Sequence, residues 1–341
     1  MWKVFAMDFG LTDEQDQLAA AERAWLTKND PIARLRTTLD SAAVTVDSAT
    51  LAHAAESGLL ELLTGEIGGT HVDLAVVTEE HGYAASSLPV ADLNIAAWLL
   101  DQVDSPTEDG KRTGLALGPD ATLEGDALRL IGITRPVPMA ADMDSVAVAG
   151  RVDDGEYLVV LDAPTLSRMS TLDLSRSWAQ VDFDATIPDW AQLPVGTLAF
   201  VRDALAVHRA FDALGAAARL LDMTVSYAGQ REQFGAPIGS FQAVKHHCAD
   251  MVLAVEASRA SLWAAALALD TASAAARSRA ASAAAAYAKS AAAKVAGTAL
   301  QVHGGIGFTW EHDLHLFLRR IKVDEAFNGS VAEHRAALLS A

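Results

Sequence analysis

The stretch YAGQREQFGAPIGSFQAVKHHCADM, residues 227–251, is the part of this chain that says most about its fold. Apolar residues before it recur at helical spacing, and Gly235, Pro237 and Gly239 then interrupt the helix. The apolar residues resume beyond the break, at Phe241, Val244, Cys248, Met251 and Val252. The pattern predicts two helices joined by a tight turn.

Charged, aromatic and amide groups crowd this turn. Arg231 precedes the break, where its planar guanidinium can bind a phosphate or pyrophosphate. Phe234 can lie against a flat ring, and the amide of Gln242 can both donate and accept hydrogen bonds. A plain helical hairpin with a capping arginine would carry the same residues, so this stretch alone leaves both interpretations open.

Length and composition exclude several classes of protein. A chain of 341 residues exceeds the usual size of one domain, so we expect two or three subdomains. It has 26 Lys and Arg against 44 Asp and Glu, a formal charge of -18, which argues against nucleic acid or an anionic membrane as a partner. The single cysteine, Cys248, excludes an internal disulfide, and the first residues lack the apolar core of a signal peptide. We therefore expect a cytoplasmic protein without a membrane span, because charged residues interrupt the Ala-rich runs.

The chain divides into three regions. Residues 1–110 are predicted to form an N-terminal helical domain, which opens with a capping box at Thr12 and Gln15. In residues 111–196 short apolar runs alternate with Gly and Asp turns, which predicts a compact central antiparallel β-domain. Residues 197–341 are predicted to form a C-terminal helical bundle, whose Ala-rich helices can pack closely. The fold class that follows is α+β.

This order of regions, together with five motifs, resembles the acyl-CoA dehydrogenase family. The motifs are RxxFG at 231–235, DFGLTDEQDQLAAAERAWL at 8–26, IGGTHVDLAVVTEEHGYAASSLPVAD at 67–92, STLDLSRSWAQVDFDATIPDW at 170–190 and QVHGGIGFTWEHDLHLFLRR at 301–320. The likeness covers nearly the whole chain. It implies the acyl-CoA dehydrogenase fold, with a four-helix bundle as the C-terminal domain.

The resemblance also implies FAD as the cofactor, in a site that two subunits share. The residues that reach across to a neighbouring subunit in this family match Arg231, Phe234, Gln242, Gln301, Gly304 and Gly305. Their chemistry suits that role, because arginine offsets pyrophosphate charge and paired glycines allow backbone to approach phosphate closely. The alternative is that the glycines only form a turn and Gln301 only caps a helix.

The catalytic half of the site departs from the family pattern. The family's glutamate base stands in a Tyr-Glu-Gly-Thr motif, and the matching residue here is Asn328, whose amide has no basic lone pair at neutral pH. The alternative base position, counted back from Arg231, holds Leu205. Asp203 and Asp212 are the nearest carboxylates, but they lie two and seven residues from that position.

Further motifs that line flavin and substrate are missing. Where the family has Thr-Glu-Pro and Gly-Ser-Asp, the chain has GLALGPDATLE before Gly125. The glutamine expected just past the base is replaced by Ala332, and the N-terminal helices look shortened after Gly69. We therefore predict no catalytic residue in this chain, which would donate only the half of an FAD site that reaches across to a partner.

Such a combination resembles the smaller, non-catalytic subunit of the α₂β₂ acyl-CoA dehydrogenases of actinobacterial steroid degradation. The resemblance implies a catalytic partner subunit that holds the base and the acyl-CoA substrate, a steroid side-chain CoA thioester. The reaction would remove the α-proton and transfer hydride from Cβ to the flavin, giving a trans-2-enoyl-CoA. An electron-transfer flavoprotein is the usual electron acceptor in the family.

Two alternatives remain open. One is a self-sufficient homotetrameric dehydrogenase that uses Asp203 or Asp212 as its base, and the other is a scaffold subunit that has lost flavin. No metal site is predicted, because His246, His247 and Cys248 are consecutive and point in different directions on a helix.

Overall fold

The structure is a computed structural model that describes residues 11–29, 31–39, 44–103 and 111–340. Its first part is helical: α1 Asp13–Asn29, α2 Pro31–Thr38, α3 Ser48–Glu56, α4 His71–Tyr83 and α5 Val90–Asp101. The predicted capping box is present, since Thr12 N donates to Gln15 Oε1 at 3.1 Å and Gln15 N donates to Thr12 Oγ1 at 3.2 Å. A second box, Thr70 with Asp73, begins α4.

The middle of the chain forms two sheets. The strands are β1 Thr113–Leu117, β2 Thr122–Glu124, β3 Ala127–Ile133, β4 Val137–Pro138, β5 Ser145–Val152, β6 Gly155–Asp162, β7 Leu166–Met169, β8 Trp178–Ile187 and β9 Ala191–Leu193. One sheet has the order β1-β5-β6-β9, and the other has β2-β3-β8-β4 with β7 also paired to β8. The pairing is antiparallel as predicted except at β1 and β5, which run parallel, with Thr113 opposite Ser145.

Long helices form the last part: α6 Thr197–Gln230, α7 Gln242–Thr271, α8 Ala274–His303, α9 Leu314–Ala326 and α10 Val331–Leu339. The Ala-rich sequence of α8 allows close packing, and Ala281, Ala285, Ala288, Ala292, Ala296 and Ala299 are buried at spacings of three and four residues. These alanines, which predicted close helix packing, therefore lie inside the bundle of α6, α7, α8 and α9.

Two glycines bring α4 against α6. A Cβ on Gly82 would lie 2.2 Å from the carbonyl oxygen of Asp212, and one on Gly215 would lie 2.0 Å from the carbonyl oxygen of Glu79. Because neither glycine has a side chain, the two backbones approach closely at this crossing. The N-terminal helices consequently share one hydrophobic core with the bundle, and this core also includes residues of β1 and β5.

Among the described residues one helix, α7, is long and apolar enough by length and composition to cross a membrane. The sequence expectation that no run reaches that length is therefore wrong for α7, because alanines raise its mean hydropathy to 1.4 over the most apolar window. The helix packs along α6 and α8. A core helix of a bundle passes the same test, so its length and composition are weak support for a membrane span.

Candidate functional site

The turn between α6 and α7 presents Arg231 and Phe234 to the outside. Helix α6 ends at Gln230, and the N–H of Arg231 closes it by donating to the carbonyl oxygen of Tyr227 at 2.8 Å. A short hairpin follows, in which Phe234 and Gly235 have positive φ angles of 55° and 79°. Phe234 is 95% exposed, so its ring contributes almost nothing to the core of this chain.

The beginning of α7 is more exposed than its apolar pattern predicts. Gln242 is the first residue of the helix and is exposed, as expected for an amide that points outward. Of the predicted apolar face, Met251 is buried, whereas Phe241 and Val252 are 39% and 44% exposed. The first turns of α7 extend past the core of this chain and leave apolar groups exposed.

The end of α8 carries Gln301, Gly304 and Gly305. Gln301 and Gly305 are exposed, and Gly304 ends the helix with a φ of 59° that a side chain would strain. A Cβ on either glycine would meet no atom within 4 Å, so an outside group can approach the backbone here. The turn that follows, Gly304–Phe308, leaves Ile306 44% and Phe308 76% exposed.

A buried ring connects these two segments. His303 stacks on Tyr227, with ring centroids 4.5 Å apart, and the edge of His312 lies against it at 4.8 Å. The Nδ1–H of His303 donates to the carbonyl oxygen of Ala299 at 2.8 Å, and burial lowers the pKa of the ring. The position of His303 next to Gly304 predicts a cofactor-side or packing residue, and in the structure the ring packs.

The six predicted cofactor residues therefore lie on two surface segments that the Tyr227 and His303 rings hold together. We will call residues 231–242 and 301–305 the outer half-site. The side chains of Arg231, Gln242 and Gln301 have no hydrogen-bond or ion-pair partner among the residues that the structure describes. An exposed guanidinium, two exposed amides and open glycine backbone have the chemistry to bind the pyrophosphate of a cofactor.

Asn328 lies in a different environment. It has a positive φ of 55°, and its Oδ1 accepts a hydrogen bond from Arg209 Nε at 3.1 Å. Nη2 of the same guanidinium donates to both oxygens of Asp92, at 2.9 and 3.0 Å. The position matched to the family's base is thus occupied by an amide that is fixed on a buried ion pair.

A second buried cluster lies beside it, around Asp212. Arg176 binds both oxygens of Asp212 at 3.1 and 3.2 Å, and Arg320 approaches at 3.4 Å. Burial raises the pKa of the Asp212 carboxyl, but the two arginines together outweigh this and hold the pKa well below its ordinary value. Asp212 is consequently an ionised structural group and a poor base for an α-proton.

Lys289 completes this buried set of charges. Its ammonium is fully buried and donates to the carbonyl oxygens of Phe327 and Gly329, both at 2.7 Å. Burial lowers the pKa of Lys289 to about 7. Burial and the nearby Asp212 carboxylate raise the pKa of Asp324 well above its ordinary value. We will call Asp92, Arg176, Arg209, Asp212, Lys289, Arg320 and Asp324 the inner charge network.

The space within the inner charge network is small. A cavity lined by Leu205, Asp92, Arg176, Arg209 and Asp212 has a volume of about 10 Å³. This is room for about one water molecule and far too little for an acyl chain. Leu205, which occupies the alternative base position, lines the cavity and adds no proton acceptor.

The other candidate base, Asp203, is held elsewhere. Its Oδ2 accepts from Arg277 Nε at 2.9 Å and from Ser278 Oγ at 2.6 Å. His246 and His247 are exposed on α7, and no group of three or more His, Cys, Asp or Glu side chains suited to a metal occurs in the described ranges. The two carboxylates weighed as bases are therefore both engaged with arginines.

The inner charge network was not predicted from the sequence. Arg209 and Asp212 interrupt an apolar run, LAVHRAFDALGAAA at 205–218, and each occupies a buried face of α6. Charged residues at such positions are rarely buried unless paired, so that spacing was the available signal. Their partners come from α5, from the segment before β8 and from α9, and a single sequence gives no indication of those pairings.

Known proteins resemble this chain along most of its length. The family description "Acyl-CoA dehydrogenase, C-terminal domain" matches residues 199–340. Acyl-CoA dehydrogenase IpdE2 of Mycolicibacterium smegmatis is 33% identical over 262 residues, which cover 75% of this chain and 74% of that protein.

Solved structures share the fold. The Tcur3481-Tcur3483 steroid ACAD G363A variant has a TM-score of 0.86 at 25% identity and covers 96% of this chain and 97% of its own. The ChsE4-ChsE5 complex from Mycobacterium tuberculosis has a TM-score of 0.88 at 22% identity, with 98% of each chain covered. The helices, the two sheets and the bundle described above are therefore those of a known fold, and this chain belongs to the acyl-CoA dehydrogenase family.

Proposed function

We propose that this chain is the non-catalytic subunit of a heteromeric, FAD-dependent acyl-CoA dehydrogenase and donates half of an FAD site to a catalytic partner subunit. One observation carries the proposal: the position of the base is held by Asn328 on the Arg209–Asp92 pair, beside a cavity of about 10 Å³. An amide at the base position, beside a cavity this small, cannot dehydrogenate an acyl-CoA alone. The open outer half-site of this chain then has a use only beside another subunit.

Within this assembly each donated residue has a distinct part. Arg231 would offset the charge of the pyrophosphate, and the backbone of Gly304 and Gly305 would approach it closely. Gln242 and Gln301 would supply hydrogen bonds that orient the cofactor, and Phe234 would lie against a flat part of it. The bound flavin supplies the capacity to accept hydride from the substrate Cβ.

The names of two similar structures support a heteromeric assembly. One is the ChsE4-ChsE5 complex and the other is described as a steroid ACAD with two named components. We propose by analogy an α₂β₂ heterotetramer in the cytoplasm that acts on a steroid side-chain CoA thioester, with the base and acyl pocket in the partner. An electron-transfer flavoprotein is the proposed electron acceptor, and neither nucleic acid nor a membrane is a proposed partner.

Replacement of Arg231 by Ala in the assembled complex tests this proposal. Loss of one charge-assisted contact to a phosphate is worth about 1.5–3 kcal/mol, so we expect the dissociation constant of FAD to rise about 10- to 100-fold. Arg279→Ala is the matched control, because Arg279 is also an exposed arginine but lies outside the outer half-site. Unchanged FAD affinity in Arg231→Ala would remove this chain from the FAD site and leave it a scaffold.

A further inference from the structure

Arg36 on α2 binds the loop that follows the outer half-site. Its Nη1 donates to the carbonyl oxygen of Trp310 at 2.5 Å, and its Nε donates to Asp313 Oδ1 at 2.7 Å. Nη2 of the same guanidinium lies 2.6 Å from that carboxylate oxygen. One arginine therefore holds both ends of the segment 310–313, across a sequence separation of more than 270 residues.

The segment 310–313 is directly connected to the outer half-site. It begins five residues after Gly305, and the ring of His312 within it lies against His303. His303 in turn stacks on Tyr227, whose carbonyl oxygen accepts the Arg231 N–H that ends α6. A displacement of the segment would thus change the packing under both parts of the outer half-site.

We propose that Arg36 is a positioning residue for the FAD half-site, which it holds through the 310–313 segment. The inference rests on the proposed function and assigns a role in cofactor binding to the N-terminal helix α2. Arg36 itself does not touch the cofactor. It fixes the loop whose His312 and His303 rings support the two segments that do, and a rigid half-site loses less entropy when it binds its ligand.

A neighbouring arginine on the same helix provides a matched control. Arg34 also makes an ion pair, with Asp47 at 2.7 Å, and its Nη2 donates to Thr50 Oγ1 at 3.4 Å. Those partners are on and beside α3, which has no residue in the outer half-site. Arg34→Ala removes an ion pair from α2 without releasing the segment 310–313.

The test compares Arg36→Ala with Arg34→Ala in the flavin-binding assembly of this chain. FAD is titrated into the flavin-free complex, and the unfolding temperature of that complex is measured in parallel. We expect Arg36→Ala to raise the dissociation constant of FAD about five-fold, as for loss of one partly exposed ion pair, and Arg34→Ala to leave it unchanged. The two variants should lower the unfolding temperature by similar amounts, because both lose one ion pair.

Asp313→Asn removes the charge of the other partner in the same ion pair, and it should also weaken FAD binding. This variant keeps the test possible if the Arg36→Ala chain fails to assemble. Equal FAD affinity in the Arg36 and Arg34 variants would overturn the inference, since Arg36 would then be a structural residue only. A different result would reject the proposed function itself: Arg231→Ala would then also leave FAD binding unchanged. Weakening by Arg231→Ala alone would reject only the role of Arg36.

Discussion

Arg209 lies within α6 and Arg231 directly follows its last residue, yet their surroundings are opposite. Arg209 is buried and engages Asp92 and Asn328, while the guanidinium of Arg231 is exposed at the helix end without a partner among the described residues. A buried arginine must be paired to be tolerated, whereas an exposed one can await a ligand. The charges of the inner charge network are therefore paired within this chain, whereas the exposed guanidinium of Arg231 is free to bind an anion.

The largest expected effect comes from breaking the inner charge network. Asp212→Ala leaves Arg176 and Arg320 without their shared carboxylate in a fully buried setting, and we expect it to lower the free energy of unfolding by about 3–5 kcal/mol. Chemical denaturation of the purified chain, or its soluble yield if it fails to fold, measures this change. Asp203→Ala is the control, with a smaller expected loss, because its partner Arg277 can reach solvent. A mild effect of Asp212→Ala would show that the network is not structural.

Acid should destabilise the interior of this chain. His71 Nδ1 lies 3.0 Å from His208 Nε2, and burial lowers the pKa of His71 from 6.5 to about 4. Between pH 6.5 and pH 4 the unfolded chain binds more protons at His71 than the folded chain does. His71 therefore lowers the free energy of unfolding progressively as the pH drops from 6.5 toward 4, and has little effect above pH 6.5. We expect about 2 kcal/mol less stability at pH 5 than at pH 7 from this group.

Denaturation curves at the two pH values, for the unaltered chain and His71→Gln, measure the effect. Glutamine does not titrate in this range, so the difference between pH 7 and pH 5 should shrink in the variant. His246→Gln, on an exposed face of α7, should retain the full pH dependence. If the pH dependence is identical in all three proteins, His71 is not the group responsible.

The smallest expected effect tests whether restoring the base restores a catalytic site. Asn328→Glu places a carboxylate at the family position but also a longer side chain in a left-handed backbone conformation, which costs about 1–2 kcal/mol of stability. We expect no acyl-CoA-dependent reduction of an electron-accepting dye, because Arg209 would bind the new carboxylate and the cavity cannot admit an acyl group. Asn328→Gly, which accepts this backbone conformation, is the control for stability. Turnover by Asn328→Glu would show that an acyl pocket can open in this chain.

Much of the fold was predictable from local signals. The capping box at Thr12, the break after Arg231 and the alanines of α8 each specify a boundary or a buried face through interactions within a few residues. The parallel pairing of β1 with β5 was not predictable in that way, because it joins strands about 30 residues apart. The hydrophobic pattern of a strand does not identify its neighbour.

The candidate site divides in the same way. The residues of the outer half-site fall in two short segments that each match a motif, so the sequence was sufficient to name them as a prediction. The inner charge network joins Asp92, Arg176, Arg209 and Asp324 from separate elements, and each ion pair depends on how those elements pack. The sequence shows that Asn328 replaces the family's glutamate, but it does not show that Arg209 binds the side chain of Asn328.

The most direct measurement of the central claim is the flavin content and native mass of this chain, purified alone and purified together with a candidate catalytic subunit. We expect no flavin and no acyl-CoA oxidation by the chain alone, and a yellow, active heterotetramer with about one FAD for each pair of subunits. A yellow chain that oxidises acyl-CoA by itself would contradict the account, since it would require a base and an acyl pocket within this subunit.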